Sequence, residues 1–211
     1  MLKNPQDTRA RRTERQFEQA LLELLARKPL HQITVAELCR RCQVNRATFY
    51  DHYTNLFALA DAVEDGILAR LEALMAQIER QRPSADVISE LFFAFLGEFR
   101  QPLRLLLSGE TAPRFFQKLD GALLPFFEKR VRQSYHIAPG CPPGQLQAVL
   151  RFLTSGYYGF FLQAMGGADM PPQLPQLAAQ ISDRCLSGFF QSRPAAGECD
   201  KNTGKAGKNA V

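Results

Sequence analysis

Apolar residues recur along the chain at steps of three and four, and this spacing, close to the 3.6-residue turn, predicts helices almost throughout. Over residues 8–27, Phe17, Ala20, Leu21, Leu24 and Leu25 share one face while Arg11, Arg12, Arg15 and Glu18 share the other. Lys28-Pro29 stops that helix, because the residue before a proline is steered out of helical backbone. Thr34, with Glu37 three residues on, makes a capping box, and Val35, Leu38, Cys39 and Cys42 form the inner face of a short helix. Only Gln43 and Val44 intervene before Asn45 opens a second short helix reaching about Tyr53. Thr54-Asn55 then caps a long helix whose stripe Leu56, Leu59, Ala60, Val63, Ile67, Leu71, Leu74 and Ile78 continues to about Arg80, roughly 40 Å at 1.5 Å per residue. Beyond Pro83-Ser84, proline and glycine separate further helices over 86–99, 102–107, 113–135, 144–165 and 172–190. No strand and no internal repeat is legible. The expected fold is all-α with about nine helices, an N-terminal three-helix unit over residues 1–56 preceding a helical body over 57–192.

Composition narrows the class. With 211 residues, 45% hydrophobic and 22% charged, including 16 Phe, the chain carries too much apolar surface to stay unfolded. Residues 193–211 are the exception: small, polar and rich in glycine and lysine, they read as a disordered tail. The opening residues have no apolar run behind their positive charges, so a secretory signal is not expected and a cytoplasmic setting is. Five cysteines, an odd number mostly on apolar helical faces, read as reduced thiols. Cys39 and Cys42 form one C-x-x-C without a second pair or a suitably spaced histidine, and two packed thiols fit that better than a metal or redox site.

Charge is distributed unevenly. Residues 1–56 hold ten Lys/Arg against six Asp/Glu, whereas residues 57–192 hold 12 against 13 and the last 19 residues four against two. A basic N-terminal unit on a near-neutral apolar body suggests a module that binds a polyanion, with a merely solvated surface as the plain alternative.

The stretch Ile33-Thr34-Val35-Ala36-Glu37-Leu38 through Asn55 carries the function. In a helix-turn-helix the second helix enters the major groove while the first crosses above it and shares a small core, here Val35, Leu38, Cys42, Val44, Phe49 and Leu56. That leaves Asn45, Arg46, Thr48, Asp51 and His52 for the exposed side. The run Asn45-Arg46-Ala47-Thr48-Phe49-Tyr50-Asp51-His52-Tyr53 resembles the recognition helix of the TetR family of bacterial transcriptional regulators, and the flanking helices follow in that family's order. The resemblance implies that Tyr50 and His52 donate to operator phosphates, that Thr48 meets the backbone or a thymine methyl, and that Arg46 reaches a base edge or phosphate. It further implies that the helix start at Thr34 offers backbone N–H groups to a phosphate and that Arg9, Arg11 and Arg12, with Lys3, reach the neighbouring backbone or minor groove. Tyr50 read without the resemblance is a core or rim aromatic, and Tyr53 is expected in the core. Two departures stand out: Gln43 occupies a turn position that is usually glycine in the family, and Leu56 stands where a lysine is frequent.

The body shows no phosphate loop, nucleophile elbow or metal motif, so neither enzyme activity nor a cofactor or metal is expected. Its aromatic load is core by default. The resemblance implies a pocket for a small-molecule inducer among the middle helices, for which Phe95, Phe99, Phe116, Phe127 and Tyr157 are candidates and an apolar or aromatic ligand the expectation. Residues 152–168 carry no charge but are too short and too interrupted to span a membrane. Burial against a second copy accounts for them better, with Gly156, Gly159 and Phe160 on one helix and Ile181 and Cys185 on the last forming a homodimer interface. The reading as a whole is a homodimeric repressor released by its ligand from a palindromic double-stranded DNA operator. A DNA-binding dimer without an effector, and a helical small-molecule-binding protein with a decayed DNA module, are its rivals.

Overall fold

A computed structural model describes residues 5–107, 112–165 and 172–192. The expectations placed on Lys3, on residues 166–168 of the uncharged segment and on the 193–211 tail lie outside the described residues. Among the described residues nine α-helices follow in chain order: α1 (Pro5–Leu25), α2 (Val35–Cys42), α3 (Arg46–His52), α4 (Leu56–Gln81), α5 (Ala85–Glu98), α6 (Arg100–Leu107), α7 (Ala112–Ser134), α8 (Gln145–Met165) and α9 (Leu174–Phe189). The all-α expectation holds, with one addition. Two-residue strands β1 (Tyr135–His136) and β2 (Gln191–Ser192) pair antiparallel where the chain leaves α7 and α9. Two residues leave no alternation to read, so the pattern of the sequence could not announce them.

The caps explain the short helices. Thr34 accepts from the Glu37 backbone N–H at 3.2 Å, but the reciprocal half of the box is replaced: the Glu37 carboxylate instead takes Lys28 Nζ at 2.5 Å, tying α2 to the end of the chain segment that follows α1. Gln43 closes α2 in left-handed backbone, φ 56° and ψ 35°, and the Val44 N–H returns to the Cys39 carbonyl. The tight turn thus forms without its usual glycine, at a local cost of about 1 kcal/mol. The cap of α4 is Asn55 rather than Thr54, its side chain accepting from the Ala58 N–H at 2.9 Å.

Packing follows the stripes. Phe17, Leu21, Leu38, Phe49 and Leu59 are fully buried, and one apolar cluster runs unbroken from α1 through α4 to α7. Phe17 meets Phe49 edge-on with ring centroids 5.4 Å apart; truncating a ring so placed costs about 3–5 kcal/mol. Leu56, the position of the missing lysine, is buried in this core. Helix α4 therefore belongs to the small helices at its start and to the body at its end. A second cluster, Val131, Tyr135, Leu146, Leu150, Leu186 and Phe190, holds α7, α8 and α9 together beside the strand pair. No helix among the described residues is long and apolar enough to cross a membrane.

Candidate nucleic-acid interface and ligand cavity

Helix α3 has two unlike sides. Phe49 is fully buried against Phe17, and Tyr53, expected in the core, is half-buried and packs beside both rings. Burial and the nearby carboxylates of Glu18 and Glu14 push the Tyr53 hydroxyl up to about 12, so it stays protonated. On the other side Asn45, Arg46, Ala47, Tyr50 and Asp51 are exposed. Tyr50 is 58% exposed, its ring standing edge-on to Phe49. Two candidates are partly committed within the protein. The Asn45 side-chain oxygen accepts the Thr48 N–H at 2.7 Å as the helix cap, leaving its amide NH2 for a partner. His52 Nδ1 lies 3.4 Å from Glu14 on α1, so Nε2 is the ring nitrogen left for an outside partner.

Beside α3, a groove of about 700 Å³ between α1 and the end of α2 is lined by Arg11, Arg12, Arg15, Arg41 and Gln43. Glu23 answers part of that charge: Arg41 Nε donates to it at 2.6 Å, and hydrogen bonds from Gln19 and Arg41 hold its carboxyl below the usual range. Arg9, Arg11 and Arg12 are exposed on α1, and Thr34 at the start of α2 is exposed as well. Of the sequence candidates for DNA contact, Arg9, Arg11, Arg12, Thr34, Asn45, Arg46 and Tyr50 are exposed, whereas Thr48 and His52 are half-buried. Cys39 and Cys42 are free thiols directed at backbone carbonyls, and burial pushes both thiols up.

The body encloses a cavity of about 400 Å³ between α4, α5, α6, α7, α8 and α9. Of the rings named as ligand candidates, Phe95, Phe127 and Tyr157 line it. Phe99 and Phe116 do not: Phe99 stacks on Phe95 at 4.8 Å beneath the Arg70 guanidinium, and Phe116 turns against Tyr158 at 5.4 Å. Helical spacing placed these rings on inward faces but could not say which of two inward spaces each would fill. The same blindness hid the polar part of the lining, which includes Arg130, Ser134, Asp183 and Ser182. Tyr135 donates to Asp183 at 2.6 Å and Tyr157 shares a 3.1 Å hydrogen bond with Ser182. An Arg one turn beyond Phe126 and Phe127 was the available signal.

Between α4 and α7 lies a charged seam that sequence reading did not find. Glu64 is fully buried; its Oε2 meets Lys118 at 3.0 Å and Arg114 at 3.4 Å, while Oε1 has no partner among the described residues. Asp61 and Asp65 extend the seam to the same two cations.

The candidate dimer residues lie on an open face. Along α8, Phe152 is 74% exposed and Gly156, Gly159 and Phe160 follow it on one stripe; on α9 Leu177, Ile181 and Phe189 are exposed, with Cys185 half-buried. Leu174, Ala178 and Leu186 of α9 turn inward instead. A contiguous apolar stripe of this kind is uncommon on a protein that works alone.

Residues 19–63 match the family model of the bacterial regulatory proteins, tetR family. The chain is 33% identical over 109 residues to the uncharacterized HTH-type transcriptional regulator YxbF of Bacillus subtilis, a stretch covering 48% of this chain and 24% of that protein. It is 28% identical over 145 residues to the nucleoid occlusion factor SlmA of Marinobacter nauticus, covering 67% of this chain and 72% of the relative. Its fold is similar to that of Thermus thermophilus FadR, a TetR-family transcriptional repressor solved with lauroyl-CoA: TM-score 0.52 at 18% identity, covering 87% of this chain and 97% of that one.

Proposed function

With residues 19–63 forming a domain of the TetR family of bacterial regulatory proteins, we propose that the chain is a homodimeric transcriptional repressor that leaves its operator when a small molecule occupies the body. The division of labour is residues 1–56 on DNA and residues 57–192 for ligand and partner. The observation that carries the reading is the two-sidedness of α3: a fully buried Phe49 fixes the helix from within, and Asn45, Arg46 and Tyr50 are exposed on its other side, while Thr48 is half-buried. A helix seven residues long, held this way, presents its first turn to base edges, where Arg46 bonds guanine O6 and N7 and Thr48 meets a thymine methyl. Tyr50 and His52 contact phosphates, the N–H groups after Thr34 take another, and Arg9, Arg11 and Arg12 line the neighbouring backbone.

A second copy, joined through α8 and α9, supplies the second half-site. The Gly156 and Gly159 surfaces let its helices approach closely, with Phe160, Ile181 and Cys185 at the contact. The cavity supports the ligand part of the reading, since α4 lines it through Leu71 and also carries Leu56 in the core beneath α3. A ligand that favours a different setting of α4 displaces the two recognition helices from successive major grooves.

Selection of duplexes from a randomised pool by the purified chain tests the proposal. A palindrome should emerge, and Tyr50→Phe and His52→Ala should each bind it several-fold more weakly with unchanged helical content. A pool with no enriched palindrome contradicts it.

A further inference from the structure

The cavity wall contains one charge that its surroundings do not satisfy. Arg130, on α7, is part-buried and lines the cavity, yet its one hydrogen bond shown is a 3.4 Å contact from an Nη to the neutral Pro83 carbonyl. A guanidinium offers five N–H donors in a fixed fork that suits a carboxylate. Among the described residues no carboxylate lies within ion-pair distance of it: Glu79 nearby is paired with Lys129 at 2.8 Å. Burial and the neighbouring Arg82 cation pull the Arg130 pKa down, which is the signature of a cation placed where positive charge is unwelcome. The remaining charge on the wall, Asp183, is exposed and already accepts the Tyr135 hydroxyl at 2.6 Å. Away from this end the lining is apolar, with Leu103, Leu107, Leu119, Leu123 and Phe95.

We infer that the cavity takes a monoanionic amphiphile, an aliphatic or aromatic carboxylic acid whose carboxylate sits on the Arg130 guanidinium and whose apolar part runs between α5, α6 and α7. The inference rests on the reading of this cavity as the ligand site and adds the chemistry of its occupant. A carboxylate at Arg130 restores the missing counter-charge, and the apolar remainder of the acid fills a space that has little for a polar molecule to bond. An amine would be held by Asp183 instead, against the positive pair of Arg130 and Arg82. A neutral alcohol would leave the guanidinium as it is.

Isothermal titration calorimetry of the full chain with decanoate, decanol and decylammonium separates these cases. Decanoate should bind at least tenfold more tightly than decanol, and decylammonium most weakly. Arg130→Gln should erase the advantage of decanoate while leaving decanol affinity unchanged, which also shows that the variant is folded; Arg130→Lys should keep part of it. Decanol or decylammonium binding as tightly as decanoate, or an advantage that survives Arg130→Gln, would overturn the inference and leave a ligand cavity of other selectivity. Binding of none of the three would overturn both the inference and the reading of the cavity as a ligand site.

Discussion

The three small helices and the body treat charge and apolar surface in opposite ways. In α1 to α3 the charges are outside and the interior is dry: Phe17, Leu21, Leu38 and Phe49 are buried, and the exposed large ring, Tyr50, carries a hydroxyl. In the body the arrangement is inverted. Phe152, Phe160, Leu177, Ile181 and Phe189 face outward, while Glu64 is fully buried and Arg130 is drawn into a cavity wall. The small helices close their core with the start of α4, which continues into the body. An exposed apolar face and an inward charge have different remedies: another protein surface for the first, a counter-charge for the second, which Glu64 has in Lys118 and Arg114 and Arg130 lacks among the described residues. The proposed function gives the solvent-facing polar helix to DNA, the open α8/α9 face to a second copy and the cavity to a ligand.

The contrast breaks most visibly at the α8/α9 face. Gly159 has nothing within 4 Å of where a Cβ would sit, so Gly159→Arg fits the single chain without strain and exchanges glycine for a better helix former. Any loss must then come from association, where the new charge is buried without a partner. Sedimentation should find a monomer, and operator affinity should fall about a thousandfold, close to 4 kcal/mol, because one recognition helix reads only one half-site. A dimer of full affinity would place the interface elsewhere. Next in size is the α4/α7 seam. Arg114→Met combined with Lys118→Met strands the Glu64 carboxylate and should cost about 3 kcal/mol in urea unfolding. Adding Glu64→Leu should return most of it; an unchanged midpoint for the double variant would show that water reaches Glu64.

On the polar side the effects are smaller and selective. Arg46→Ala should cost about 1–3 kcal/mol on the preferred duplex and flatten one base position in each half-site, whereas Arg11→Ala or Arg12→Ala should weaken all sequences evenly. Selection from randomised operators distinguishes them, and an unchanged preference returns Arg46 to the phosphate contacts. The smallest change concerns the turn between α2 and α3. Gln43→Gly relieves the left-handed turn and should raise thermal stability by up to about 1 kcal/mol without altering DNA affinity. A drop in stability would mean that the Gln43 side chain does more than occupy the turn.

Helix positions were legible because periodicity is local: each of the nine helices repeats its apolar residues often enough to be read, and the caps at Thr34 and Asn45 mark their starts. The outer face of α3 was legible for the same reason, since burial of Phe49 fixes where Arg46 and Tyr50 must point. What escaped depends on distant partners. Nothing in the neighbourhood of Glu64 distinguishes it from the exposed acids on the same helix until α7 brings Arg114 and Lys118 across it. Arg130 becomes a cavity residue, and Phe99 and Phe116 leave the cavity, only through the way α5, α7 and α8 meet. The commitment of His52 Nδ1 to Glu14 likewise joins residues 38 positions apart.

The central claim, that the exposed face of α3 binds duplex DNA as part of a dimer, is met most directly by titrating the full chain with its selected duplex across a range of salt concentrations. Two protomers per palindrome are expected. The logarithm of the association constant should fall linearly with the logarithm of salt, by roughly 0.9 for each phosphate neutralised. A flat salt dependence, or a single protomer binding with full affinity, would contradict the account.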